Sequence, residues 1–140
     1  MQHPVADSEN MIKPIPVPIS PGELLDKISI LEIKVERIDD LQKRANVERE
    51  FDLLTGLWHA EASETGEITK MRTELKSLNE KLWAIEDEIR DCERRSDFGD
   101  RFVALARSIY RTNDQRAALK RRINEVLGST ILEEKSYKAY

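Results

Sequence analysis

An apolar residue at every third or fourth position between residues 71 and 92 is the feature that most constrains this fold. The spacing places these side chains on one stripe of a helix, and it persists for three heptads, as in a coiled-coil seam. A helix over 67–95 would be about 43 Å long, whereas a compact chain of this size is roughly 37 Å across. The seam therefore predicts either an elongated bundle or a helix that continues into a second subunit. Its residues are Met71, Leu75, Leu78, Leu82, Ile85, Ile89 and Cys92.

Three further helices are predicted around this long one. Ser20 is followed by proline and, three positions on, by glutamate, which is the pattern of a capped helix start. Apolar residues then recur at helical spacing as far as Leu41. Weaker stripes predict helices over about 46–62 and about 100–127, and Gly128 is typical of a helix end. The fold class is therefore all-α: an elongated antiparallel bundle with a coiled-coil-like long third helix.

The bundle is predicted to span residues 20–128, between two segments of different composition. Residues 1–19 contain four of the five prolines, and apolar residues alternate with three of them. This pattern predicts an extended proline-rich arm, which either packs along the bundle or is donated to a partner. Residues 129–140 include an isoleucine, a leucine and two tyrosines. They are too apolar for a solvated tail, so we expect this segment to fold back on the bundle.

Charge and composition exclude several classes of function. The chain has 27 acidic and 23 basic residues and a formal net charge of −4, which does not suit a generic polyanion binder. The basic residues of 101–124 spread around their helix, so nucleic acid is not favoured as a partner. No apolar run approaches the roughly 20 residues that span a bilayer, and no secretory signal is present. A single cysteine fits a reducing compartment. We therefore expect a cytoplasmic protein without membrane contact.

No motif for a known chemistry is present. His3, His59 and Cys92 are far apart in the sequence, so no metal site is predicted. There is no glycine-rich phosphate loop, and no histidine is placed as the base of a catalytic triad. The sequence therefore predicts no cofactor and identifies no catalytic residue. It favours a protein that is not an enzyme, without excluding one.

Three polar residues interrupt the apolar stripe of the fourth helix. In a helical projection, Asn113, Arg116 and Lys120 fall within about 60° of the core-facing direction. A charge on a core stripe is costly unless it is paired. These residues therefore predict either a structural salt-bridge network with a snorkelling lysine or an anion-binding site. An Arg116 closed in a salt bridge, with no cavity beside it, would argue against the second interpretation.

Residues on two other helices are predicted to face that polar stripe. Lys27 and Lys34 are seven positions apart and share a face of the first helix. On the third helix, Glu86 is the predicted counter-charge for either cation of the stripe, with Trp83 and Arg90 beside it. The alternatives are that both lysines are flank residues with buried stems, that Glu86 belongs to an ordinary helix surface and that the tryptophan is a packing anchor.

Four segments carry a resemblance to a small bacterial family of uncharacterised helical proteins. The family implies no activity and no residue roles, but relatives occur among genes for surface polysaccharides and glycosyl transfer. The resemblance draws attention to Asn113, Asp114, Arg116 and the tail. The segments are SPGELLDKISILEIKVERI (20–38), LWAIEDEIR (82–90), FVALARSIYRTNDQRAALKRRIN (102–124) and EEKSY (133–137).

Two functions follow from these observations. The favoured one is an accessory or binding module that self-associates as a homodimer, contains a buried cationic cluster and can take a protein partner. The alternative is a protein or enzyme that binds a small anionic metabolite: a phosphate, a nucleotide sugar or a dicarboxylate. The family resemblance links this alternative to surface-polysaccharide metabolism. The residue types of the cluster also resemble those with which helical chorismate mutases bind a dicarboxylate. The arrangement of motifs in that family is not matched here.

Overall fold

The computed structural model describes residues 11–140, which form an all-α bundle of four helices and contain no strand. The all-α prediction is confirmed. The first ten residues of the predicted arm lie outside the described residues. The helices are α1 (Pro21–Arg37), α2 (Leu41–Glu61), α3 (Gly66–Arg94) and α4 (Asp100–Val126).

The start of α1 follows the capping pattern of the sequence. The Ser20 hydroxyl accepts a hydrogen bond from the backbone N–H of Glu23, at 3.2 Å. This bond satisfies one of the N–H groups that a helix start leaves free. The Glu23 carboxylate does not return to Ser20 as in a full capping box, because it contacts Lys120 of α4 instead.

The boundary between α1 and α2 differs from the prediction. The backbone of Ile38 is extended, and the carboxylate of Asp40 caps a new helix by accepting from the N–H of Lys43 at 2.9 Å. Leu41 therefore begins α2 and is 81% exposed. The prediction that Leu41 widens the apolar face of the first helix was wrong. An aspartate cap followed by a helix-favouring run explains the earlier start of α2.

Contacts between helices define their directions. Cys92 of α3 and Leu105 of α4 pack together near the turn that joins the two helices. Asn79 and Arg116, which are each farther from this turn, also contact each other, so α3 and α4 are antiparallel. The N-terminal end of α1 meets the C-terminal end of α4, where the N–H of Gly22 donates to the side-chain oxygen of Asn124 at 2.7 Å. The two helices approach so closely here that only glycine fits at position 22.

The seam of α3 is covered in part by other helices of the same chain. Met71 and Leu75 are buried in the main core, and Ile85 and Cys92 in a smaller cluster near the α3–α4 turn. The other three seam residues are half-buried. The homodimer and the coiled-coil character stay predictions. The other buried members of the main core are Leu25, Ile28, Trp58, Ile68, Leu119 and Ile123.

The segments outside the helices are exposed. In the arm, Ile15 and Val17 are more than 60% exposed. In the tail, Glu133 contacts Lys120 at 3.3 Å, and the Tyr140 hydroxyl donates to Asp114 at 2.7 Å. The division of the chain into arm, bundle and tail stays a prediction. Within residues 11–140, no helix is both long enough and apolar enough to cross a membrane.

Candidate functional site

A groove of about 570 Å³ lies between α1, α3 and α4. We call it the central groove. Isoleucine side chains from α1 and α4 and a leucine from α3 form its apolar walls. It brings together six of the eight predicted site residues from three helices. These six are Lys34, Trp83, Glu86, Arg90, Asn113 and Arg116.

Arg116 lies in this groove with neutral hydrogen-bond partners. One terminal nitrogen of its guanidinium donates to the side-chain oxygen of Asn79 at 2.9 Å, and the other donates to that of Asn113 at 3.0 Å. Among residues 11–140, no carboxylate lies within 4.0 Å of the Arg116 guanidinium. Arg116 is therefore not closed in a salt bridge, and a cavity lies beside it, which is the arrangement that leaves the anion-site interpretation standing.

A buried polar cluster holds Asn79 in position. The amide nitrogen of Asn79 donates to Asp26 at 2.8 Å and to the hydroxyl of Ser29 at 2.7 Å. All three side chains are buried. Because the nitrogen is used in this way, the amide oxygen must face Arg116. The guanidinium is thus oriented by a fixed partner, and its positive charge is not neutralised by that partner.

Lys120 belongs to a second cluster, with an excess of carboxylates, one helical turn away from Arg116. Its ammonium lies 2.6 Å from Glu23, 3.6 Å from Asp26 and 3.3 Å from Glu133. Burial lowers the pKa of Lys120, but the carboxylates outweigh that effect and hold the pKa above its usual value. Burial likewise raises the pKa of Glu23, and Lys120 outweighs it and holds the pKa below its usual value. Both groups are therefore charged near neutral pH.

Two predicted cations do not join the central groove, so the predicted convergence of all four cations was wrong. Lys27 is exposed and lies 3.8 Å from Glu23, one turn before it on α1. Lys120 lies beside the start of α1, where Glu23 and Asp26 attract it. The first turns of α1 thus supply carboxylates to both lysines, whereas Lys34 lies farther along α1 and has no ion pair within the described range.

The predicted pairing of Glu86 with Arg116 or Lys120 was also wrong. Glu86 forms an ion pair with Arg90, one turn away on the same helix. The residue of α3 opposite Arg116 is Asn79, two turns before Glu86. The sequence placed Glu86 on the correct side of α3, but the register between the helices decides which residue Arg116 meets.

Trp83 is half-buried at the edge of the central groove. The guanidinium of Arg37 lies 5.7 Å from the centroid of its ring, within range of a cation–π contact. Trp83 therefore packs against α1 and also forms part of the groove wall. In the part of the chain that the structure describes, no group of three or more histidine, cysteine and acidic side chains could hold a metal ion.

Sequence reasoning missed the roles of Asp26 and Ser29, which fix the partner of Arg116. The signal was present in the sequence of α1. Gly22, Asp26, Ser29 and Ile33 recur at helical spacing and form one buried stripe. Small and polar residues on such a stripe indicate close helix contact and buried hydrogen bonds, a pattern that a search for apolar residues overlooks.

The model of a family described as "Family of unknown function (DUF6165)" matches residues 15–140. The chain belongs to this family. The match covers the four helices of this DUF6165 chain and its tail, and it confirms the resemblance to a family of unknown function. No curated protein and no solved structure matches the chain. The roles of its residues therefore have to be argued from their geometry.

Proposed function

We propose that the protein binds a small anion, a carboxylate or a phosphate, on the guanidinium of Arg116 in the central groove. One observation carries this proposal: Arg116 is held by two neutral amide oxygens, from Asn79 and Asn113, at the wall of an open groove. Arg116 is half-buried and has no carboxylate within 4.0 Å among residues 11–140, so an anion from solution is a partner that its guanidinium can take.

The hydrogen bonds of Arg116 leave donors for a ligand. A guanidinium has five N–H groups, and the two described bonds use two of them. The remaining donors are suited to two oxygens of a carboxylate or phosphate, which arginine binds in a bidentate manner. Lys34 adds a second cation without an ion pair in residues 11–140. The apolar walls lower the local dielectric constant, which strengthens the attraction between these cations and an anion.

The proposal is one of binding and not of catalysis. Two carboxylates line the central groove, those of Glu86 and Asp87, and Glu86 is tied to Arg90. The described lining contains no histidine, cysteine or serine. A site of this composition recognises charge and shape, and it offers no nucleophile with a neighbouring base.

The substitution Asn113→Asp tests the proposal with almost no change of shape. It turns the neutral acceptor of Arg116 into a carboxylate at the same place, so the guanidinium would be closed in an ion pair. We expect the affinity for inorganic phosphate, measured by isothermal titration calorimetry, to fall about tenfold or more. Gln115→Glu makes the same charge change at an exposed neighbouring position of α4 and should alter the affinity little.

The substitution Arg116→Met provides the complementary test. It should lower phosphate affinity by about 10- to 100-fold, because a charge-assisted hydrogen bond contributes about 1.5–3 kcal/mol. Arg107→Met removes a cation from the exposed face of the same helix and serves as its control. The loss of Arg116 should cost about 1–3 kcal/mol of stability, because the buried oxygen of Asn79 is left without a donor.

Two results would contradict the proposal. One is a wild-type protein that binds neither inorganic phosphate nor succinate, a simple dicarboxylate. The other is an Arg116→Met variant that keeps its affinity but loses about 3–5 kcal/mol of unfolding free energy, the cost of stranding a buried ionic partner. That second result would make Arg116 part of a structural network.

A further inference from the structure

A second cavity lies on the tail side of Arg116. It has a volume of about 500 Å³ and is lined by residues of α4 and of the C-terminal tail. We call it the tail cleft. Arg116 and Asn113 line both the tail cleft and the central groove, so the two cavities meet at these residues. A ligand whose anionic group binds Arg116 can therefore extend under the tail.

Tyrosine rings form much of the wall of the tail cleft. Tyr110 and Tyr140 meet edge to face, with ring centroids 5.1 Å apart. Tyr137 is 80% exposed, and the ammonium of Lys135 lies 5.9 Å from the centroid of its ring. The hydroxyl of Tyr140 donates to Asp114 at 2.7 Å, which fixes that ring against α4.

The charges of the tail cleft favour an anion. Its lining has three cations, Arg116, Lys135 and Lys138, and one carboxylate, that of Asp114. The carboxylate accepts the hydrogen bond of Tyr140, and this contact holds the pKa of the tyrosine above its usual value. The side chains of the lining are therefore positive by two charges, in a chain whose formal net charge is −4. A cation-rich cleft with three aromatic rings is adapted to anions that have an apolar body.

We propose that the tail cleft accepts the body of the same ligand and that this body contains a planar ring, as in a phosphate monoester of an aromatic or heteroaromatic group. This inference rests on the proposed anion site. Inorganic phosphate alone would leave most of a cavity of about 500 Å³ empty. Pockets of this size accept ligands of drug-like dimensions. A planar ring would pack against Tyr137 and Tyr140, while its phosphate binds Arg116 and the lysines of the tail.

Phenyl phosphate and inorganic phosphate are the probes that test this inference. Both have the anionic group, and only the first has a ring. We expect wild-type protein to bind phenyl phosphate about 2- to 10-fold more tightly, the range given by one aromatic contact. Tyr137→Ala should reduce this difference, since one of the two rings is lost, and leave the affinity for inorganic phosphate unchanged. Tyr137→Phe keeps the ring and should retain the difference.

The outcomes separate this inference from the proposed function. Equal affinities for the two probes in the wild type, or a preference that Tyr137→Ala leaves intact, would overturn the planar-ring inference while the anion site stands. Failure of both probes to bind would overturn the proposed function itself. Because Tyr137 is exposed, its alanine variant is expected to fold, and an unchanged thermal midpoint checks this.

Discussion

The substitution Gly22→Ala tests whether α1 must lie as close to α4 as the structure places it. A methyl group at this position would stand 2.5 Å from the backbone oxygen of Lys120 and 2.9 Å from the side-chain oxygen of Asn124. The first neighbour is backbone and cannot rotate away. To reach an ordinary contact of 3.4 Å, the two helices would have to separate by roughly 0.9 Å.

The cost of this separation follows from three effects. Overpacking in a close contact costs about 1–3 kcal/mol. The hydrogen bond from Gly22 to Asn124 would be stretched, and Asn124 is only 2% exposed. An unsatisfied buried acceptor costs about 1–3 kcal/mol. The higher helix propensity of alanine offsets about 1 kcal/mol of this loss of stability. We therefore expect a net loss of about 3 kcal/mol, or roughly 10 °C in Tm for a domain of this size.

Gly56→Ala is the matched control for this experiment. Gly56 lies inside α2, and a methyl group there would meet no heavy atom within 4 Å. The same chemical change should therefore stabilise the protein by about 0.5–1 kcal/mol. Both variants can be compared by thermal and chemical denaturation followed by circular dichroism. If Gly22→Ala is as stable as Gly56→Ala, the close approach of α1 to α4 is not a constraint and the reasoning fails.

Three further predictions concern the polar clusters. The folded-state pKa of Glu23 lies below its usual value of 4.5. Its ion pair therefore contributes stability above pH 4.5, and this contribution is lost as the pH falls through the folded-state pKa. Glu23→Gln should therefore flatten the acid limb of stability against pH, and an unchanged limb would contradict the prediction. Lys120→Met leaves the buried Asp26 without its cation and should lower the unfolding free energy, measured by chemical denaturation, by about 3 kcal/mol. A decrease of less than about 1 kcal/mol would show that this cluster contributes little to stability. Asn79→Leu removes the hydrogen bonds to both Asp26 and Arg116 and should lower the unfolding free energy by about 2–4 kcal/mol. The phosphate affinity of this variant should also fall, and an unchanged affinity in calorimetry would contradict the prediction.

The helices were predictable because their signals are local. The capping hydrogen bond of Ser20 and the apolar seam of α3 each involve residues that lie within a few turns of one another. The start of α2 was missed because the apolar pattern continues through the break at Ile38, where the backbone becomes extended. Periodicity alone does not register a change of backbone direction, and here the better indicator was the aspartate cap at position 40.

The candidate site was predictable only in part, for a different reason. The phase of a single helix places Asn113 and Arg116 on one face, and both do line the central groove. The partner of Arg116 depends on how α3 is shifted along α4. Glu86 and Asn79 are seven residues apart, about 10 Å along a helix, so a shift of two turns exchanges a carboxylate for an amide. No local pattern contains that information.

The two polar clusters differ in a way that bears on their roles. Lys120 has three carboxylates within 4.0 Å, whereas among residues 11–140 Arg116 has none. Asp26 connects the two, since one of its oxygens faces Lys120 and the other accepts from Asn79. An aspartate at position 113 would have nearly the same shape as Asn113 and would form an ion pair with Arg116, yet the chain has a neutral amide there. The carboxylate-rich cluster around Lys120 holds α1 against α4, whereas the Arg116 guanidinium stays without an ion pair in the described part of the chain, at an open groove where an anion from solution can bind it.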